Sequence, residues 1–166
     1  TPVEYYPNQP PTIKHIIEDM DEIDRLKQPN PLKDGLMPEI LRRYREVLPL
    51  VRDEGMDIKI VAARGPMTLA SHIMGVTNFL VGLKTEPEKT HTLMRMMTDT
   101  VKAWLTAQAE ALPGVEGIFV LDDIMGFLGE EDYLEFAHGY FKEIFTLPAK
   151  LKVLHNDTPN PVSFKY

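Results

Sequence analysis

Three short apolar runs, separated from one another by long helical patterns, constrain the fold of this chain more than any other feature. Two of the runs are DIKIVAARGP (57–66) and VEGIFVL (115–121), and the third ends at His155. Short strands that are apolar on both faces and alternate with helices are typical of βαβ units in a parallel sheet. The sequence therefore predicts an α/β fold with neighbouring parallel strands whose carboxyl ends lie on one side, at residues 58–63, 116–121 and 151–155.

Apolar residues recur at helical spacing before and between these runs. The pattern predicts helices over residues 12–26, 37–51, the start of MTLASHIMG (67–75), 86–112 and the stretch that Glu130 and Glu131 open. At the start of 86–112, Thr85 and Glu88 match a capping box and Pro87 lies in the first turn. Four prolines predict an irregular extended arm over residues 1–11, and QPNPLKDG (28–35) is interpreted as a linker.

Composition narrows the organisation and the partners of the protein. A chain of 166 residues that is 43% hydrophobic can bury one sizeable core, so we expect a single domain over residues 1–166. The net charge of −7 argues against nucleic acid as a partner, and no run approaches the roughly 20 apolar residues of a membrane span. Because these 166 residues contain no cysteine, a disulfide or a thiolate metal site is excluded within this stretch. Because there is also no signal peptide, we expect a cytoplasmic protein, and without a first Met we expect its natural start upstream.

Polar or turn residues follow each of the three predicted strands directly. In parallel α/β sheets, the residues that bind and react collect in the loops at the carboxyl ends of the strands. The sequence therefore predicts one shared site built from three strand ends, Arg64-Gly65-Pro66, Asp122-Asp123 and His155-Asn156-Asp157.

Four segments in order carry a resemblance to a known family: ARGPMTLASHIMG, TEPEKTHTLMRMMTDTVKAWLTAQ, GIFVLDDIMGFLGEEDYLEFAHGYFKEI and KVLHND. Over residues 12–160 the chain resembles the uroporphyrinogen decarboxylase superfamily, which also contains the zinc-dependent methyltransferases of corrinoid systems. Members are longer (β/α)₈ barrels, so the resemblance implies a TIM-barrel type of fold, here a partial barrel with about three parallel strands. The rest of the barrel is then expected in the natural protein or from a partner, because a partial barrel leaves open edges.

The decarboxylase branch implies one set of candidate residues. Decarboxylases bind a porphyrinogen with many carboxylates, mainly through arginines and an aspartate of an N-terminal region that this chain lacks. His72 stands where the family has a tyrosine, and LDDIMG aligns Asp122 with the acid and Asp123 with the serine of the family segment F-[DE]-S-x-A-G. These three residues are the catalytic candidates, although the acidic pair suits a polyanionic substrate poorly. The alternatives are a turn cap for the aspartates and a core position for the histidine.

The methyltransferase branch implies a metal site at the last strand end. Its members have His-x-Cys there, and in this chain His155 and Asp157 occupy the two positions. Residues i and i+2 of an extended chain project to the same side, and imidazole nitrogen and carboxylate oxygen are both zinc ligands. Asp122, Asp123 or a residue outside the chain would supply a further ligand. Such a hard ligand set suits a methyl donor with an ether oxygen or an amine better than a thiol. The alternatives are a hydrogen-bonded histidine and a turn aspartate.

Arg64 and Asn156 complete the predicted site as substrate-binding residues, although Arg64 could instead pair with a neighbouring carboxylate. The leading hypothesis is a zinc-assisted methyltransferase that moves a methyl group between a small substrate and the cobalamin of a corrinoid partner protein. The second is a decarboxylase that acts on a tetrapyrrole in porphyrin biosynthesis. The third is a homologue without catalytic activity that serves as an assembly partner.

Overall fold

The computed structural model describes residues 2–159 and 161–166, so that Thr1 of the predicted arm lies outside the described residues. In chain order the strands are β1 (Val3–Glu4), β2 (Thr12–Ile13), β3 (Ile60–Arg64), β4 (Gly117–Leu121) and β5 (Leu151–His155). The α-helices are α1 (Met37–Asp53), α2 (Pro66–Met74), α3 (Val76–Thr85), α4 (Pro87–Ala111), α5 (Glu130–Tyr133) and α6 (Gly139–Ile144). A π-helical segment, Leu134–His138, joins the last two, and short 3₁₀ helices span Met20–Arg25, Ile124–Phe127 and Val162–Lys165.

The central sheet has the strand order β3-β4-β5 with both pairs parallel. The prediction of neighbouring parallel strands with their carboxyl ends on one side is confirmed. The last register row of the sheet aligns Arg64 with Leu121 and Leu121 with His155, so the three predicted functional ends meet at one edge of the sheet. Within the described ranges the sheet is open, which agrees with a partial barrel and leaves β3 and β5 as edge strands.

The two faces of this sheet differ in burial. Alternate residues that face the helices, Val61, Ala63, Ile118 and Val120, are buried in the main core with α4. Residues on the opposite face stay accessible, with Ile60 at 42% and Leu151 at 48% exposure. Side chains alternate between faces along a strand, so Arg64 and His155 belong to this accessible face.

The prediction of a helix over residues 12–26 is wrong. Thr12–Ile13 pairs with Val3–Glu4 in a short antiparallel ladder, and helical structure is limited to the 3₁₀ turns of Met20–Arg25. The buried residues Ile17, Met20 and Ile23 recur every three positions, which is the period of a 3₁₀ helix and explains the helix-like pattern.

Two further predictions about the chain ends and caps need correction. The arm over residues 1–11 is not wholly irregular, because β1 occupies two of its positions that are not proline. The capping box of Thr85 and Glu88 is not formed: Glu86 is the N-cap of α4, and the Thr85 hydroxyl donates to the Val81 carbonyl at 3.2 Å. Among the residues that the structure describes, no helix has the length and apolar character to cross a membrane.

Candidate functional site

Three side chains with metal-ligating atoms converge where β4 and β5 end. Asp123, His155 and Asp157 each offer one ligand atom, and all three atoms lie within 4.8 Å of one another. Asp123 and His155 are half-buried, whereas Asp157 is exposed. The structure thus brings both sequence-predicted metal residues together with one of the two aspartates considered as a further ligand.

His155 is oriented by its neighbours on the accessible face. Its imidazole lies against the Phe119 ring of the adjacent strand, with ring centroids 5.7 Å apart. Nε2 lies 3.3 Å from Oδ1 of Asp157. Nδ1 is buried and has no hydrogen-bond partner among the described residues. Because Nδ1 is buried, Nε2 beside Asp157 is the nitrogen of this imidazole that could ligate an ion.

The loops that follow β4 and β5 are bonded to each other. The backbone N–H of Asp157 donates to Oδ1 of Asp123 at 2.8 Å, and Asn156 Nδ2 donates to the Asp122 carbonyl at 2.8 Å. A Cβ at Gly126 would lie 1.8 Å from the Thr158 hydroxyl, so only glycine allows this approach. These contacts fix the separation of the candidate ligands before any ion arrives.

Asp122 differs from its neighbour Asp123 because its side chain is fully buried, with 0% exposure. Its carboxylate accepts from the backbone N–H groups of Met67 and Thr68 at 2.9 and 3.1 Å, and from the Thr68 hydroxyl at 3.0 Å. Burial raises the pKa of Asp122 to about 6, and the hydrogen bonds from Thr68 counteract this by less. These contacts cap α2, while the predicted catalytic role of Asp122 stays a prediction.

Asn156 also uses its side chain within the protein. In addition to donating to Asp122, its Oδ1 accepts from the Thr158 backbone N–H at 2.8 Å and from the Thr158 hydroxyl. An amide engaged in this way stabilises the turn after β5. Its substrate-binding role stays a prediction, and the contacts give it a structural role.

Arg64 and His72 lie apart from the metal-ligating cluster. Arg64 is exposed, and its side chain takes part in no hydrogen bond or ion pair within the described ranges, so the alternative pairing with a carboxylate is not observed. His72 lines an apolar groove of about 540 Å³ with Ile16 and Met97. Burial, and then the positive charges of Arg64 and His15, lower the pKa of His72. A catalytic role for His72 stays a prediction.

The donor set fits a divalent metal ion of hard or borderline character. One imidazole nitrogen and two carboxylate oxygens match ligand types that zinc accepts, and three protein ligands with an open position are typical of catalytic zinc. The two carboxylates would also compensate the charge of the ion. Asp123, His155 and Asp157 are therefore the residues that would hold such an ion.

Sequence reasoning placed Gly65 at a predicted strand end, but it identified neither Thr68 nor the contact of the two residues with Asp122. A Cβ at Gly65 would lie 2.4 Å from Oδ2 of Asp122, so the buried carboxylate requires glycine there. Both residues belong to the segment ARGPMTLASHIMG. The signal that could have identified them is a Thr three residues after a Gly at the start of a predicted helix. Their partner lies 54 or more positions away, which local pattern does not reveal.

Comparisons with known proteins connect this geometry to a family. The family model described as "Uroporphyrinogen decarboxylase (URO-D)" matches residues 1–160. A uroporphyrinogen decarboxylase of Corynebacterium diphtheriae is 29% identical in an alignment 161 residues long that covers 92% of this chain and 44% of that protein. A methylated-thiol–coenzyme M methyltransferase of Methanosarcina mazei is 32% identical, over 72% of this chain and 31% of that protein.

A solved structure shows the same fold. A methyltransferase from Methanosarcina mazei matches 96% of this chain and 47% of its own chain with a TM-score of 0.79 and 17% identity. The chain therefore spans less than half of each of these proteins. Both decarboxylase and methyltransferase relatives occur among the matches, so similarity alone does not choose between the two activities.

Proposed function

The chain belongs to the uroporphyrinogen decarboxylase family, and from that premise we propose that its protein is a methyltransferase that moves a methyl group from a small substrate to the cobalamin of a partner protein. The observation that carries the proposal is the convergence of Asp123, His155 and Asp157 within 4.8 Å at the strand ends. Two carboxylates at this place disfavour a substrate with many carboxylates, whereas they favour a cation.

The proposed cation is zinc, held by the three residues above. When bound, it would supply a Lewis acid for the ether oxygen or amine nitrogen that loses the methyl group. The protein's own contribution is to keep the imidazole and both carboxylates at fixed separation. The imidazole of His155 is held by its contact with Phe119, and the two aspartates are held by the hydrogen bond from the Asp157 N–H to Asp123.

Arg64 supports a substrate that carries one anionic group. It occupies the same register row as His155, two strands away, and neighbouring strands are about 4.8 Å apart, which places the two backbones about 10 Å apart. A guanidinium that has no partner among the residues described by the structure is suited to binding a carboxylate. We therefore assign small methyl ethers or methylamines that bear a carboxylate as the substrate class.

The transfer balances as a nucleophilic displacement in which the corrinoid is the second substrate. The cobalt(I) centre attacks the methyl carbon and forms the cobalt–carbon bond with its electron pair. The carbon–oxygen bond breaks with its electrons on the oxygen, which then takes a proton from solvent. The methyl group moves as a cation equivalent, and no further oxidant or reductant is needed.

The test uses the zinc-loaded protein with cob(I)alamin and 4-methoxybenzoate, a methyl ether with one carboxylate. We expect 4-hydroxybenzoate and methylcobalamin to form in equal amounts, and His155→Ala to abolish both products. Chromatography quantifies the first product and absorbance the second. Absence of both with the wild-type protein, over a series of carboxylated methyl ethers and amines, contradicts the proposal.

Decarboxylation of a porphyrinogen is the second candidate function. The relatives named uroporphyrinogen decarboxylase favour it, and so does Arg64 as a cation at the strand ends with no ion-pair partner in the described part of the chain. Incubation with uroporphyrinogen decides the matter: saturable conversion to less carboxylated products replaces our proposal with this one. A protein inactive in both assays supports the non-catalytic homologue instead.

A further inference from the structure

We infer that Asp122 is a positioning residue, whose carboxylate and main chain join three strand ends and thereby hold Asp123, His155 and Asp157 at metal-binding separation. The inference rests on the proposed function for the use of the metal site. Its structural content, a single residue that fixes the geometry of the three strand ends, does not depend on which reaction the protein catalyses.

The carboxylate of Asp122 ties the end of β4 to the end of β3. Oδ2 accepts two backbone N–H groups in the first turn of α2, and Oδ1 accepts the Thr68 hydroxyl. Because α2 begins directly after β3, these bonds fix the spacing between the β3 end and the β4 end. Gly65 makes the approach possible, since its missing Cβ leaves space for Oδ2.

The main chain of Asp122 ties the end of β4 to the end of β5. Its N–H donates to the carbonyl of His155 at 3.0 Å, and its carbonyl accepts from Asn156 Nδ2 at 2.8 Å. Asp122 therefore contacts the backbone of His155 and the side chain of Asn156, which precedes Asp157 in the chain. The third candidate ligand, Asp123, follows Asp122 directly.

The same contacts exclude Asp122 itself as a ligand in this arrangement. A carboxylate accepts about four hydrogen bonds, and Oδ1 also receives the Ile124 N–H at 3.2 Å. With four donors in place and no exposed surface, its oxygens have no free direction toward an ion. A group that holds ligands without touching the metal typically changes metal affinity by about 10- to 100-fold when it is removed.

The experiment compares Asp122→Asn and Thr68→Val with wild type. Asp122→Asn keeps the shape and replaces one acceptor oxygen with a donor, whereas Thr68→Val removes a single hydroxyl. Thr98→Val is the matched control, because the buried Thr98 hydroxyl has no hydrogen-bond partner among the described residues. The two readouts are the affinity and absorption bands of cobalt(II), and the hydrogen exchange of the Asp157 amide without metal.

We expect Asp122→Asn to weaken cobalt(II) binding about 10- to 100-fold and to alter its bands. We also expect the Asp157 amide to exchange at least about 10-fold faster, while buried amides of α4 keep their rates. Thr68→Val should shift both readouts in the same direction by less, and Thr98→Val should leave them unchanged.

Three results would overturn the inference. The first is that Asp122→Asn binds cobalt(II) and exchanges the Asp157 amide as wild type does. The second is that Asp122→Asn accelerates the exchange of all amides equally. The third is that Thr98→Val changes the readouts as much as Thr68→Val does. If Asp122→Asn does not fold, Thr68→Val decides by the same criteria. If wild type binds no cobalt(II), the proposed metal site fails, and the exchange of the Asp157 amide alone decides whether Asp122 positions the loops.

Discussion

The ends of β4 and β5 are cross-linked by hydrogen bonds, whereas the end of β3 presents a free side chain. At the first, the Asp157 N–H donates to Asp123 Oδ1 and Asn156 Nδ2 donates to the Asp122 carbonyl, both at 2.8 Å. At the second, Arg64 reaches the same row of the sheet as His155 and has no partner among the described residues.

This difference separates two kinds of recognition on one sheet edge. A small ion needs ligands held at short, nearly fixed distances, which the β4 and β5 loops supply before binding. An organic anion is instead recognised by a long, adaptable cation, because a guanidinium can form two hydrogen bonds to a carboxylate in several positions. The β4–β5 end is therefore suited to the reaction and the β3 end to substrate choice.

Removal of the imidazole should have the largest effect. We expect His155→Ala to lose most zinc affinity, by more than the roughly 100-fold that loss of a supporting residue causes. The fold should persist, because the half-buried His155 lies at a strand end. Elemental analysis after dialysis measures the metal, and circular dichroism checks the fold. Full retention of zinc would place the site elsewhere.

A pH dependence of stability should follow from the buried Asp122. Its pKa is about 6 in the folded protein against an ordinary 3.8, so protonation favours the folded state. The stability that this provides is fully present below pH 3.8 and is lost as the pH rises through about 6. We expect the free energy of unfolding of wild type to fall by up to about 3 kcal/mol relative to Asp122→Asn across that window. Urea denaturation at several pH values measures it, and parallel curves would contradict the prediction.

Two glycine substitutions test whether the close contact between the β3 end and the β4 end contributes to the stability of the fold. Gly65→Ala places a Cβ against Asp122, whereas Gly129→Ala meets nothing within 4 Å. We expect Gly65→Ala to lower the free energy of unfolding by about 1–3 kcal/mol, as overpacking does, and Gly129→Ala to change it little. Equal melting curves for the two variants would show that the Asp122 carboxylate can move away from residue 65 without loss of stability.

Much of this arrangement could be predicted from the sequence. The three strands are short apolar runs that alternate with helices and end in polar or turn residues, so this pattern and the rule for parallel sheets were sufficient. The pairing of His155 with Asp157 was predictable because side chains two apart in an extended segment project together.

What could not be predicted depends on contacts between distant segments. Asp122 and Asp123 are chemically identical and adjacent, and only the first turn of α2 decides which one is buried. Likewise, the apolar period over residues 12–26 fits a helix, but the N–H groups of Ile16 and Ile17 donate to the Ile73 carbonyl at the end of α2. Tertiary contacts of this kind override local propensity.

Loss of the Arg64 guanidinium should affect substrate choice and leave the metal in place. We expect Arg64→Gln to raise KM for 4-methoxybenzoate about 10-fold, in the range of a charge-assisted hydrogen bond, and to leave that for uncharged anisole unchanged. Zinc content should equal that of wild type. A similar loss for both substrates would mean that Arg64 supports the fold or the metal instead.

The smallest effect should come from the most exposed ligand. The Asp157 side chain is 79% exposed, so water can replace it at modest cost. We expect Asp157→Ala to weaken zinc binding by about 10-fold or less, at the low end of what supporting residues contribute. Competition with a chromophoric chelator measures this change. A loss of zinc affinity as large as that of His155→Ala would mean that Asp157 contributes as much to zinc binding as His155 does.

The most direct test of the central claim is zinc K-edge X-ray absorption of the protein loaded with one equivalent of zinc. If Asp123, His155 and Asp157 form the site, the spectrum will show one imidazole and oxygen ligands at about 2.0–2.2 Å, and the imidazole contribution will disappear in His155→Ala. A wild-type spectrum with oxygen ligands alone, or an imidazole contribution that persists in His155→Ala, would contradict it.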